Sequence, residues 1–145
     1  LTDSVIEIPR SGDLSEEAAR QPPTYVPNRN MMLLAMAAAY AESNGIFAVY
    51  YGAQASDEVG YWDCTEDFLS RINDVLALNR RQPVHVYAPF VSWSKAEVVR
   101  LGFDLGVEYD QTWSCYRGGD EPCGTCPSCV ERERAFKEAR GDASE

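Results

Sequence analysis

Four of the chain's five cysteines fall in one short run, CYRGGDEPCGTCPSC, from Cys115 to Cys129. Their spacing is C-x7-C-x2-C-x2-C, and Gly118, Gly119, Pro122, Gly124 and Pro127 stand between them to permit tight turns. At 145 residues the chain is one ordinary domain in size, long enough to bury a core without covalent staples. The usual reason for disulfides is therefore missing. Four soft thiolates converging tetrahedrally at about 2.3 Å make a closed structural zinc site, which stabilises and does not catalyse. Two other readings stay open, a cubane iron–sulfur cluster and a pair of disulfides. A reducing setting and the lack of a Cys-Pro ending of the ferredoxin kind favour zinc.

With 45% hydrophobic and 25% charged residues, the composition is that of a soluble globular protein rather than a disordered or fibrous one. No apolar stretch approaches the roughly 18 residues of a membrane span. The opening LTDSVIEIPRSGDLSEEAARQ has neither the basic start nor the apolar core of a secretory signal, so the expected location is the cytoplasm. Thirteen Lys and Arg against 23 Asp and Glu give a net charge of -10 with no basic run. Direct nucleic-acid binding needs a cationic footprint and is not expected. The first residue is Leu rather than Met, which raises the expectation of processing, truncation or a missing leading segment.

Three regions are expected. Residues 1–24 carry a short apolar patch, Val5 to Ile8, read as a strand, and then a polar loop read as mobile. Residues 25–111 hold an α/β pattern. MMLLAMAAAYAES predicts a helix buried on nearly every side and stopped by Asn44 and Gly45. IFAVYYGA, Ile46 to Ala53, predicts a buried parallel strand. Asp63 with Glu66 predicts a capping box for a helix whose core stripe is Phe68, Ile72, Val75 and Leu76. PVHVYAP, Pro83 to Pro89, predicts a second strand, and Ser94 with Glu97 opens another helix, ended by Gly106. This order implies an α/β layer sandwich with a parallel sheet. Residues 112–145 hold the cysteine segment and a charged helix, VERERAFKEAR.

The blocks YVPNRN, GAQASDEVGYWDC, APFVSWSKAEVVRLG and TWSCYRGGDEPCGTCPSCVERERAF, in order from Tyr25 to Phe136, resemble the 7-cyano-7-deazaguanine synthase family of the queuosine pathway. The resemblance implies the three-layer, Rossmann-like fold of the adenine-nucleotide hydrolase-like proteins, with a C-terminal zinc-binding segment. It implies an ATP-dependent C–N ligase that adenylates 7-carboxy-7-deazaguanine, adds ammonia and dehydrates the amide to the nitrile with a further ATP. It also implies a homodimer and a structural zinc ion on Cys115, Cys123, Cys126 and Cys129.

Lys95 stands in the first turn of a predicted helix, where the macrodipole disfavours a cation. A nearby anion accounts for it, because a helix N-terminus with an ammonium makes a phosphate site, and the matching family position implies contact with ATP phosphates and a catalytic role. The plain alternative is a solvated lysine. Arg29 stands in the same situation next to Asn30, and the two are candidate ATP-binding residues; for Arg29 the alternative is a surface arginine at a helix cap. The loop after the first strand lies where ligands bind in open α/β sheets. A deazaguanine offers two adjacent N–H donors, which a carboxylate accepts as a pair while an aromatic ring covers the base. Asp57 or Asp63 is the candidate acceptor and Tyr61 or Trp62 the candidate lid; the alternatives are a helix cap for Asp63 and core packing for Trp62. Asp57 is also a candidate Mg2+ ligand. His85 reads as structural, Cys64 as lining the pocket or packing, and Trp93 and Trp113 as core or rim.

The chain departs from the family pattern in one large respect. The Ser-Gly-Gly-x-Asp-Ser phosphate loop is absent from these residues, and the only Gly-Gly lies inside the cysteine segment. An upstream segment or a second chain is the expected source. Local departures are Trp62 for Pro, Thr65 for Arg, Asn28 for Gly or Ala and Gln54 for Asn, three of them in the presumed substrate loop. They keep two other readings in view: an enzyme that attaches a deazapurine to a protein or nucleic acid, and a non-catalytic zinc-bearing module.

Overall fold

The computed structural model describes residues 7–12 and 22–141, without the side chains of 58 and 59. The expectations for Val5 and Ile6 and for most of the polar loop lie outside these residues; Glu7 and Ile8 are not in a strand. The chain divides into two compact units, Tyr25–Trp93 and Leu1–Thr24 with Ser94–Glu145. Among the described residues no helix is long and apolar enough to cross a membrane.

The unit Tyr25–Trp93 runs helix α1 (Arg29–Ser43), strand β1 (Ala48–Tyr50), helix α2 (Glu66–Leu76) and strand β2 (His85–Tyr87). The strands pair in parallel, Val49 opposite Val86. Parallel neighbours need a crossover, and α2 supplies it. Both strands are shorter than the apolar runs that predict them, because pairing ends where the chain turns into the loops on either side.

Helix α1 forms from strong helix formers and stops at Asn44 and Gly45, where a left-handed glycine (φ 67°) lets Ile46 N donate back to Ala41 O at 2.8 Å. Burial on nearly every side is not what the structure has. Asn30, Leu34, Ala38 and Ala41 are buried, while Met31, Met32, Leu33, Met36 and Tyr40 are exposed. The described sheet has two strands, wide enough to cover one stripe of a helix.

Helix α2 also differs from its forecast. It starts at Glu66, capped by Thr65, whose Oγ1 accepts from Phe68 N at 3.1 Å, and Asp63 sits earlier in a 3-10 turn, Trp62–Cys64. The inward stripe is the buried Phe68 with the partly buried Leu69, Ile72 and Leu76, and Val75 is left 64% exposed. This stripe meets Leu34 and the fully buried Val86. From the same helix Asn73 donates through Nδ2 to Val86 O at 2.9 Å and accepts from Val86 N at 2.8 Å. One side-chain amide thus satisfies both backbone groups of the most buried strand residue.

In the second unit, helix α3 (Lys95–Asp104) packs on helix α4 (Pro127–Arg140). The box opening α3 forms as the sequence predicts: Glu97 N donates to Ser94 Oγ at 3.2 Å and Ser94 N to Glu97 Oε2 at 2.7 Å. Phe103, Tyr109 and Phe136 meet edge to face, with centroids 4.8 to 5.8 Å apart. The Tyr109 hydroxyl donates to Val99 O at 3.0 Å across Gly102, where any Cβ would collide with its ring. Helix α4 begins earlier than the charged run suggests, with Pro127 in its first turn.

Replacing Asn73 by Leu keeps the volume and strips Val86 of both partners, so unfolding measured by denaturant titration is expected to lose about 2 to 4 kcal/mol, with Asn73→Asp losing less. An unchanged midpoint for Asn73→Leu would contradict this account of the strand.

Candidate functional site

The cysteine centre is built from a loop and a helix start. Cys115 and Cys123 lie on the loop, Cys126 caps α4 and Cys129 lies in its first turn. All four Sγ atoms are within 4.8 Å of one another, and Cys123 and Cys129 are 4.0 Å apart. Tetrahedral bonding at about 2.3 Å to one ion requires sulfurs about 3.8 Å apart. The geometry fits a single soft cation. All five cysteines are free. A cubane would spread its sulfurs over four irons and hold them further apart than one ion does.

Backbone amides prepare the centre. Gly124 (φ 69°) bends the chain so that Cys126 N donates to Cys123 Sγ at 3.4 Å, and Cys123 N donates to Cys115 Sγ at 3.4 Å. The backbone N–H groups of Thr125 and then Cys126 hold the Cys123 thiol down at about 6. The Cys123 N–H holds Cys115 below its ordinary range, whereas burial pushes Cys129 up to about 12. Cys115 and Cys123 are thus biased toward the thiolate and Cys129 toward the thiol, and a cation that displaces the remaining protons would complete the set. Ile8 packs on these thiols, Ser11 N donates to Thr125 O at 3.0 Å, and Arg117 Nη2 donates to Ile8 O at 3.1 Å. Trp113 is half exposed and spends its indole N–H on Cys115 O at 2.9 Å.

Lys95 belongs to this unit too. Its ammonium lies 2.6 Å from Glu131 Oε2 on α4, with both side chains mostly covered. The sequence singles out the lysine but not its partner, which stands 36 residues away with no local signal.

In Tyr25–Trp93 the structure brings Arg29, Asn30, Asp63 and Cys64 together with Tyr51. Asn30 N, in the first turn of α1, donates to Asp63 Oδ2 at 3.2 Å, and Asn30 Nδ2 donates to Cys64 Sγ at 3.3 Å. Arg29 Nε donates to Asn30 Oδ1 at 3.1 Å. The Tyr51 hydroxyl donates to Asp63 O at 2.8 Å and lies 3.1 Å from Cys64 Sγ. Asp63 is 1% exposed, and its second oxygen, Oδ1, has no partner among the described residues. Burial pushes the Cys64 thiol above its ordinary range, and burial together with Cys64 pushes the Tyr51 hydroxyl well above its own.

The other candidates have structural duties. Asp57 Oδ2 accepts from Gln54 N at 3.2 Å, completing a box in which Gln54 Oε1 accepts from Ser56 N; Gln54 Nε2 is buried without a partner. Tyr61 is half-buried with its ring near Tyr25. Trp62 is 47% exposed, packs edge-on against Phe68 and donates its indole N–H to Tyr25 Oη at 2.8 Å. His85 is exposed on β2 beside Tyr87, and Trp93 is at the rim. Tyr51 and Gln54 carry no sequence signal that separates them from ordinary strand-end residues.

The family model described as queuosine biosynthesis protein QueC matches residues 1–140. The chain belongs to this family. It is 43% identical over 143 residues to a 7-cyano-7-deazaguanine synthase of Trichodesmium erythraeum, covering 95% of this chain and 64% of that protein. A 7-cyano-7-deazaguanine synthase of Clostridium kluyveri is 40% identical (96% and 63% covered), and one of Archaeoglobus fulgidus is 49% identical over 131 residues (90% and 54% covered). The chain thus spans less than two thirds of these relatives' length.

With its ion bound, the protein is expected to resist alkylation at all four centre cysteines; chelation should open those four and leave Cys64 slow, as read by mass spectrometry of labelled peptides. Cys126→Ser removes the fully buried ligand and is expected to abolish stoichiometric metal retention. Labelling rates indifferent to chelator would rule out a metal centre.

Proposed function

We propose that this chain forms part of an ATP-dependent ligase that converts 7-carboxy-7-deazaguanine and ammonia to 7-cyano-7-deazaguanine. The observation that carries this reading is Asp63. It is a buried carboxylate, 1% exposed, with one oxygen spent on the start of α1 and the other without a partner among the described residues, in the loop that follows a parallel strand. A buried acceptor left open is costly, and a heterocycle edge with two adjacent N–H donors would satisfy it. The name shared by the relatives supports the same product, 7-cyano-7-deazaguanine. Trp62 and Thr65, which depart from the family pattern, have local roles as a Tyr25 partner and a helix cap, so neither favours a different acceptor.

In this scheme Asp63 orients the base, Tyr61 and Trp62 cover it, Arg29, steadied by Asn30, is a phosphate-binding residue of its unit, and Lys95 is one of the other unit. Asp57 holds Mg2+ with the triphosphate. The substrate carboxylate attacks the α-phosphorus and expels pyrophosphate; ammonia displaces AMP to give the amide; a second adenylation, on the amide oxygen, lets AMP leave with loss of the amide protons to give the nitrile. The cysteine-bound zinc is structural. The phosphate loop comes from an upstream segment or a second chain. Residues 25–111 then form part of a three-layer, adenine-nucleotide hydrolase-like domain and 112–145 its zinc-binding segment, in a cytoplasmic homodimer as the family resemblance implies.

The test is the complete assembly with carboxydeazaguanine, ammonia and ATP. Pyrophosphate release with nitrile product is expected, and Asp63→Asn, which keeps an acceptor for Asn30 N, should lower kcat/KM by about 10- to 150-fold. ATP consumption without nitrile rejects the reading; a mass gain on a protein or nucleic acid moves it to a conjugating enzyme, and zinc retention without ATP affinity to a non-catalytic module.

A further inference from the structure

Lys95 is held from across the unit. It is the first residue of α3, where the helix dipole opposes a cation, and Glu97 in the same turn is committed to the capping box. Its ammonium instead meets Glu131 Oε2 at 2.6 Å, with side chains 32% and 24% exposed. Glu131 lies in α4 just beyond Cys126 and Cys129, so the two helical ligands of the metal centre bracket the turn that leads into it.

Two separate anchors fix α4. Toward its middle and C-terminal half, Arg132 Nη2 donates to Tyr109 O at 2.9 Å and Thr112 Oγ1 at 2.7 Å, and Phe136 sits in the ring cluster with Phe103 and Tyr109. At the N-terminal end the thiols are what converge, and an ion among them clamps that turn. Arg132 follows Glu131 directly, so Glu131 stands where the two anchors meet, and what loss of the ion would free is the first turn of α4 that leads into it.

We propose that Glu131 is the positioning residue for Lys95, and that the ion at the four thiols sets this contact by fixing the first turn of α4. The carboxylate takes one of the three ammonium donors and restricts a flexible side chain, leaving two donors for an anion. A closed metal site thereby acts on the anion-binding end of α3 without touching ligand. The consequence for catalysis rests on the reading of Lys95 as a phosphate contact; the ion pair and its dependence on metal do not.

The sequence has two lysines, Lys95 and Lys137, which makes a direct test possible. Lys137 pairs with Glu133 at 2.8 Å with both side chains well exposed, and serves as an internal reference on the same helix as Glu131. Acetylation rates of both amines are followed by peptide mass spectrometry in the metal-loaded protein. Lys95 is expected to react more slowly than Lys137. Glu131→Ala should speed Lys95 about two- to fivefold and leave Lys137 and the metal content unchanged, with Glu131→Gln in between because it keeps an acceptor. Chelation should speed Lys95 in the parent but add little in Glu131→Ala, the non-additivity expected of a shared contact. The proposal is overturned if Glu131→Ala leaves Lys95 unmoved, if chelation speeds both lysines alike, or if chelation adds the same increment in both proteins. In the complete enzyme, Glu131→Ala should raise KM for ATP more than it lowers kcat; an unchanged KM with Lys95 released withdraws the phosphate role from Lys95 while the coupling stands.

Discussion

Four thiols within 4.8 Å of one another cannot all be charged without a cation between them. That constraint organises the unit that contains them. The amides that hold Cys123 down and the burial that pushes Cys129 up pull the set in opposite directions, and a soft cation would resolve the conflict by taking every sulfur as thiolate. What depends on the resolution reaches well beyond the loop. Ile8 and Ser11, more than a hundred residues away in sequence, are pinned against it, and α4 takes its starting direction from it.

The other unit depends on a different kind of closure. The start of α1 has amides to satisfy, and Asp63 answers one of them from a turn 33 residues later. Tyr51 at the end of β1 grips the carbonyl of the same aspartate, so helix, strand and loop meet at one residue. A carboxylate fixed by its backbone and by one oxygen has little freedom in the other. Such a group is preorganised: its orientation is settled before any ligand arrives, and the cost of ordering it has been met by folding.

Legibility followed the range of the interaction. The convergence of the four cysteines, the stop of α1 at Asn44 and Gly45 and the Ser94–Glu97 box could be read because each is written within a few residues. The start of α2 was misjudged because two overlapping patterns compete there. Asp63 with Glu66 has the form of a box, but Thr65 is the residue that caps, and Asp63 is drawn away by a backbone amide that no local pattern reveals. The burial of α1 was overstated because composition reports how apolar a helix is, not how much neighbour it has. Lys95 was visible as an electrostatic anomaly, while Glu131, one acid in a run of charged residues, was not. Asp63 reads from the sequence as a helix cap or a base acceptor, and what the structure shows is its bond to the Asn30 amide.

Asn73 gives the small sheet a direction. In a strand, successive residues turn their backbone groups to opposite sides, so the flank of β2 away from β1 offers Val86, and Val86 is already occupied. That flank is closed to recruitment, and a stray strand finds no template there. On β1, Phe47 and Tyr51 bond toward β2, which turns Ala48 and Tyr50 outward. Among the described residues the sheet is therefore closed along β2, and any strand added to it would register along Ala48–Tyr50.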